Sequence, residues 1–471
     1  MAFKKKLHAF RPDGSHIQTQ RTRERRRSEP SDPLSIERGV RQLLAEKVSG
    51  TLVGLWLLAP EHLRLGTWDM LRGWTGRSGD RVEPRLGLQL VHESALCLAG
   101  VRHGRSLSQK GFELANGLPF VATDEAVHQL LKEHTVTQAQ RLQIALGMVR
   151  QASGHYSGRL LAVDPHQMRS CTQRQTRRRR HHEGDPAVKT TQSFFCLDAD
   201  TGQPLAFTVG SAARTVGQAT PELLEMAAGI LNPQDTRPLV MADTEHFCAS
   251  LFEHVAQDTP FDLLTPMPAR KGLGTAMAKL PADAFTPRWA GFATASVPYH
   301  LNTAPDLPLH QIVQRCAENS EDYQFKAFLS TRNTHEVALL TEHYPKRWHV
   351  EEFFNANQAL GWKRAGTLNL NIRYGQMTLA LMAQAAIHQL RIRLGEPFAH
   401  WDAPHLVRHL FQGLDGDIRV SDDTVHVTYY NAPNAQILRE HYERLPHKLT
   451  QENIDPHVPW LYNLKLDFHF R

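Results

Sequence analysis

The chain has 471 residues, a length that suits two to four domains, and 41% of them are hydrophobic, enough to build cores. No run of about 18 apolar residues occurs, and patches such as 51–59 (TLVGLWLLA) are too short to span a bilayer. Lys4, Lys5 and Lys6 lead into no apolar segment, so neither a membrane span nor a secretory signal is expected.

The five cysteines (Cys97, Cys171, Cys196, Cys248, Cys316) are odd in number, widely spaced and contain no Cys-x-x-Cys pair. That argues against a disulfide framework and against a cysteine zinc site. The expectation is a soluble protein kept inside the cell. Its net charge of +6 is uneven: residues 1–36 hold nine basic and four acidic residues, and 169–180 hold six arginines (Arg169, Arg174, Arg177, Arg178, Arg179, Arg180) with no acid. Concentrated arginine suits a phosphate backbone, because each neutralised phosphate releases condensed counterions. A solvated tail is the other reading of the leader.

Residues 1–32 read as a basic, proline-punctuated leader, disordered in isolation. From 33 to 154 the pattern is helical: 36–48, 123–134 and 138–153 place apolar residues three and four apart. This reads as a helical, DNA-binding domain. Then the period changes. The run 159–163 (RLLAV) ends at Asp164, and 193–197 and 205–209 read as a hairpin joined by DADTGQP, whose Asp, Gly and Pro suit a turn. A helix over 219–231 precedes the run 238–242 (PLVMA), which ends at Asp243. A helix at 246–256 and a strand at 261–265 follow. The stretch 267–322 is irregular with β-like islands, 324–330 reads as a strand, and 334–362 is helical with Pro345 interrupting it.

Strands buried on both faces read as unbroken apolar runs, and open α/β sheets gather ligand groups at the carboxyl ends of strands. Asp164 and Asp243 occupy such ends, although aspartate after a strand is also a common turn residue. The segment 344–362 (YPKRWHVEEFFNANQALGW) is more specific. Tyr344, Arg347, Glu351 and Gln358 are spaced three, four and seven apart, which keeps them on one helical face. An amphipathic helix with an incidental Arg347–Glu351 pair would also account for two of them.

These residues resemble bacterial transposases of the insertion-sequence-four family, whose signature is Tyr-x2-Arg-x3-Glu-x6-Lys. Tyr344, Arg347 and Glu351 match it, flanked by Trp348 and Phe353, and Gln358 stands at the lysine position. AVDPHQMRS around Asp164 and VMADTEHF around Asp243 look like the family's two aspartate segments. The resemblance covers roughly 155–395 and does not extend to 1–150. It implies an α/β chain with an RNase H-like mixed-sheet catalytic core (155–266 and 323–395), a β-rich subdomain inserted at 267–322, and a C-terminal region over 396–471.

The resemblance further implies a DDE transposase that cuts DNA and joins the freed strand to a target. Asp164, Asp243 and Glu351 would be both catalytic residues and ligands of two Mg²⁺ ions, with Mn²⁺ able to substitute. Arg347 fits a bidentate phosphate clamp, Tyr344 a donor to phosphate, and Gln358 a polar contact lacking the lysine's charge. Arg177, Arg178, Arg179 and Arg180 would line the DNA path. Arg270, Lys271, Arg288 and Trp289 would contact DNA from the insertion, base stacking being open to Trp289. Expected partners are double-stranded DNA (terminal inverted repeats and target) and a second copy, since two ends must be held together. The expected location is the bacterial cytoplasm, at the nucleoid. Two other readings stay open: a decayed or domesticated relative that binds DNA without cutting, and a metal-dependent nuclease without strand transfer.

Overall fold

The computed structural model describes residues 32–50, 52–76, 82–98, 110–170, 178–179, 184, 186–211, 213–269, 271–333, 335–361 and 369–471, the side chains of Arg169, Arg179, Lys271, Ser320 and Asn357 excepted. Contacts divide the chain into His134–Ala385 and a unit made of the segments up to Glu133 and from Ala386 to Arg471. The sequence reading drew these boundaries at 154 and 395. Strands are numbered along the chain, β1 (Val48–Gly50) belonging to the second unit.

In His134–Ala385 the two apolar runs become β2 (Leu160–Arg169) and a neighbour beyond the hairpin strands. The hairpin is β4 (Val188–Asp198) with β5 (Gln203–Ser211), after the two-residue β3 (Arg178–Arg179). Its turn is shaped by Asp198, whose carboxylate accepts from the backbone amides of Gly158, Asp200 and Thr201 at 2.7, 3.1 and 2.9 Å. The helix Val216–Leu231 then crosses to β6 (Leu239–Met241), and the helix Ala249–Asp258 to β7 (Asp262–Pro266). β4 lies antiparallel to β2 and to β5, whereas β2, β6 and β7 are parallel. The parallel pairs are the ones joined through crossover helices, as parallel strands require. The order β5-β4-β2-β6-β7 is that of an RNase H-like core, as the resemblance implied.

Residues 267–322 are more regular than their composition suggests. They hold the helix Lys271–Ala278 and three strands, β8 (Thr286–Trp289), β9 (Phe292–Leu301) and β10 (Ala304–Cys316). β11 (Gln324–Ser330) pairs antiparallel with both β7 and β10, so these strands continue the core sheet instead of forming a sheet of their own.

Alternation along β2 decides which face carries chemistry. Leu161 and Val163 join Leu223, Leu224, Phe252 and Val255 in the apolar core beside the crossover helices. The even-numbered Asp164 and His166 point to the opposite face, where Asp164 lies opposite Phe195. The helix Val136–Ala152 opens with a capping box between Thr135 and Gln138. It approaches Val216–Leu231 closely: a Cβ on Gly147 would lie 2.6 Å from the Ile230 side chain.

The second unit contains helices Pro33–Leu44, Ala59–Arg64, Thr67–Thr75, Glu83–Ala95, Lys110–Ala115 and Asp124–Glu133. The helix expected over 36–48 stops at Leu44, because Val48–Gly50 is taken up as β1 against β12. Its sheet runs β1-β12-β13-β15-β14, with β12 (Gly416–Ser421), β13 (Thr424–Tyr429), β14 (His457–Val458) and β15 (Leu464–Phe470). Buried Glu61 is satisfied by Arg64 at 3.1 Å, Arg393 at 3.3 Å and the Tyr442 hydroxyl at 3.2 Å. Among the described residues no helix is long and apolar enough to cross a membrane.

Candidate active site

Asp164 lies within β2 and not just beyond it, because the antiparallel ladder with β4 continues to Arg169↔Thr190. The parallel ladder with β6, however, ends at Ala162↔Met241. Asp164 and Asp243 therefore each stand two residues past the same parallel pair, which is how adjacent strands bring their carboxylates to one end of the sheet.

Asp243 is held by local geometry. It caps a short 3₁₀ turn, Thr244–His246, with Oδ1 accepting from the Glu245 amide at 3.0 Å. The same oxygen meets Nδ1 of His246 at 2.6 Å, and the His246 side chain is only 1% exposed. Burial pushes the Asp243 carboxyl up, but the His246 contact, the Arg347 charge and the Glu245 amide together hold it below its ordinary value.

The segment expected as one helix is several: a 3₁₀ stretch Tyr344–Trp348, an α-helix His349–Asn357 and a 3₁₀ turn Gln358–Leu360. Pro345 sits in the first turn of the first stretch, where its missing N–H costs no internal bond. The segment is anchored at both ends of its exposed turn. Lys346 Nζ reaches Asp200 at 2.5 Å, and His349 Nδ1 meets the Ala199 carbonyl at 2.6 Å, both on the β4–β5 turn. Further along, Phe353 and Phe354 pack on Phe195 with centroids 5.8 and 5.1 Å away, and Phe354 stacks on His166 at 4.1 Å. Burying such rings contributes roughly 1.5–3 kcal/mol each, enough to fix the helix on the Asp164 face. Half-buried Glu351, on the same helix, is near enough to Asp164 for its charge to act on that carboxyl.

Two signature residues bind the site internally. Arg347 Nη1 donates to Asp164 Oδ1 at 3.2 Å, each side chain being 16% exposed. The Tyr344 hydroxyl donates to the Ala242 carbonyl at 3.4 Å, and its ring meets Phe328 edge-on at 4.9 Å. Gln358 turns away to donate to Asn355 at 3.4 Å.

The electrostatics are those of an acid cluster short of positive charge. Burial pushes Asp164 up to about 7; the Arg347 guanidinium opposes this, and Asp243, Glu351 and Glu245 add to it. The carboxylate oxygens of the three acids do not all lie within 4.8 Å of one another. Three hard oxygen donors, one of which burial holds against ionisation, fit divalent cations of the magnesium class, whose charge would stabilise Asp164 as a carboxylate.

Of the other expected contacts, Arg178 is exposed on β3 opposite Lys189. Arg177, Arg180, Arg270 and the side chains of Arg179 and Lys271 lie outside the described residues. Arg288 is ion-paired with Glu336 and donates to Thr294 Oγ1 at 2.9 Å. Trp289 is 53% exposed and stacks flat on Phe292 at 4.2 Å. Sequence reasoning missed His246, Lys346 and His349. His246 was within reach, three residues after Asp243 in a capped turn, but the partners of Lys346 and His349 lie about 150 residues away.

Residues 155–385, just under half of the chain, match the family model described as a transposase DDE domain, and this match supports a DDE transposase. No curated protein matches the chain. A solved cryo-EM structure, a piggyBac transposase synaptic complex with hairpin DNA, resembles the chain at 10% identity, covering 78% of this chain and 82% of its own, with a TM-score of 0.39. A likeness of that size says nothing about what the chain does.

Proposed function

We propose that the chain is a transposase of the insertion-sequence-four type that cuts DNA at the ends of an insertion sequence and transfers the freed strand. What supports this reading is that Asp164 and Asp243 each stand two residues past the same parallel pair and that Asp164 feels the charge of Glu351, inside the stretch that matches the DDE domain. In the first step water attacks the scissile phosphorus, the P–O3′ bond breaks, and a 3′-hydroxyl is released. In the second that hydroxyl attacks another phosphodiester and displaces its 3′-oxygen. Asp164, Asp243 and Glu351 would hold two Mg²⁺ ions, which when bound stabilise the attacking and leaving oxygens as Lewis acids.

The chain's own residues prepare this site. Arg347 neutralises Asp164 while no other cation does, and its remaining N–H groups can take a phosphate oxygen as DNA enters. His246 keeps Asp243 ionised and aimed. Tyr344 acts as a positioning residue through Ala242, fixing the backbone that carries Asp243. Arg177, Arg178, Arg179, Arg180, Arg270 and Lys271 supply positive charge along the DNA, and Gln358 contributes by supporting the end of the Glu351 helix. A pair of chains would hold the two DNA ends, in the bacterial cytoplasm.

The test is excision in cells. A plasmid carries a marker between this gene's own flanking sequences and receives wild-type protein or Asp243→Ala. Release of the marker by the wild type alone upholds the proposal. If wild type cuts the ends but never joins them, the chain is a nuclease without strand transfer. If it binds and never cuts, it is a DNA-binding relative.

A further inference from the structure

A second group of metal-ligating side chains stands on the sheet of the other unit. β13 and β15 run parallel, with His426 opposite Asp467 and Thr428 opposite His469. Alternation turns Val425, Val427 and Tyr429, together with Leu466, Phe468 and Phe470, into the core. His426, Asp467 and His469 are thereby left together on the other face, each half-buried. Asp467 and His469 are two apart on one strand, and His426 reaches them from the next.

The distances suit one ion. A ligand atom from each of the three residues lies within 4.8 Å of the other two. Nδ1 of His426 is 3.1 Å from Nε2 of His469, and the rings are 21° from parallel with centroids 5.3 Å apart. Two nitrogens bound to one tetrahedral ion at about 2.0–2.1 Å are about 3.3–3.4 Å apart, so the imidazoles need move only a few tenths of an ångström. Asp467 is already oriented: its Oδ1 accepts the backbone amides of Leu445 at 3.0 Å and Phe468 at 2.9 Å. Bonds of this kind hold metal-ligating carboxylates in place.

We propose that His426, Asp467 and His469 form a binding site for a divalent transition metal of the zinc class. Two imidazoles and one carboxylate favour Zn²⁺, Co²⁺ or Ni²⁺ over Mg²⁺, which prefers oxygen alone. Three protein ligands leave a fourth position for water. The ion would take the place of the hydrogen bond between the two imidazoles. It ties β15 to β13 across the intervening helices Ala435–Tyr442 and Leu445–Gln451.

The experiment uses the full chain, stripped with a chelator and dialysed. Zn²⁺ binding is measured by calorimetry, Co²⁺ binding by its visible spectrum, and the melting temperature with and without Zn²⁺. Wild type is compared with His469→Ala and with Asp467→Asn, which keeps an oxygen for the Leu445 amide and so preserves the helix start. Asp243→Asn serves as control for ions taken by the core acids. We expect the wild type and Asp243→Asn to bind one Zn²⁺ equivalent that both sheet variants lose. A tetrahedral Co²⁺ spectrum and a Zn²⁺-dependent rise in melting temperature should disappear with it. Equal Zn²⁺ stoichiometry and affinity in wild type and Asp467→Asn would overturn the proposal, even if His469→Ala failed to fold.

Discussion

Removing the guanidinium of Arg347 tests the electrostatic account of the acid cluster in the metal-free protein. Asp164 has a folded pKa of about 7 against an ordinary 3.8. Because the folded value is the higher one, its contribution to stability is most favourable below about pH 4 and is lost as the pH rises through about 7. That shift corresponds to about 4 kcal/mol. Arg347 limits the loss through a charge-assisted contact of 3.2 Å between two side chains that are each 16% exposed, an interaction worth roughly 1.5–3 kcal/mol. Arg347→Met keeps most of the volume and removes the charge, so Asp164 should titrate about one to two units higher. At pH 5 Asp164 is protonated in both proteins and the substitution costs little through this pair. By pH 8.5, about 1.5 units above the wild-type value, the cost should have grown by about 1.3–2 kcal/mol. Urea unfolding of chelator-treated protein at several pH values reads this directly. In an Asp164→Asn background the pH-dependent part should vanish, and Asp164→Asn alone should stabilise the metal-free protein above pH 7. A cost of Arg347→Met that stays flat within about 0.5 kcal/mol from pH 5 to 8.5 would refute the reasoning.

Three further outcomes rest on particular contacts. His246→Ala removes the 2.6 Å partner that holds Asp243 low. It should move the acid limb of metal-dependent DNA cleavage to higher pH and cost about 1–3 kcal/mol near neutrality. Since a lowered carboxyl contributes stability above its unfolded pKa, that cost should fade as the pH drops through the folded value. A cleavage profile lower in rate but unmoved in pH would rule out this role. Phe354→Ala deletes the ring that sits on Phe195 and His166 and should cost about 3–5 kcal/mol. Cleavage should fall further than DNA binding in a gel-shift assay, and an equal loss of both would argue against a positioning role. Gly117 has φ +65°, and a Cβ there would lie 2.0 Å from the Trp460 carbonyl oxygen. Gly117→Ala should therefore lower the melting temperature; an unchanged melting temperature would show that the backbone yields more easily than its packing implies.

The sequence by itself determined what depends on neighbours along the chain. The apolar runs before Asp164 and Asp243 became β2 and β6 because strands buried on both faces need unbroken apolar side chains. The DADTGQP turn closed its hairpin because Asp198 bonds to amides two and three residues on. The Tyr344, Arg347 and Glu351 spacing was legible as a set and Pro345 signalled an interruption, but the π and 3₁₀ turns that divide the segment were not legible, since they give no separate periodic signal over so few residues. Pairings across long separations belong to tertiary structure alone. That β11 docks on β7 and draws the inserted strands into the core sheet depends on a ladder of backbone bonds, which side-chain patterns do not encode. Arg347 lies 183 residues from Asp164 in sequence, and His426 lies 41 residues before Asp467. Each sits on its partner only because strand order and register bring the two segments together, and register is fixed by the whole core at once.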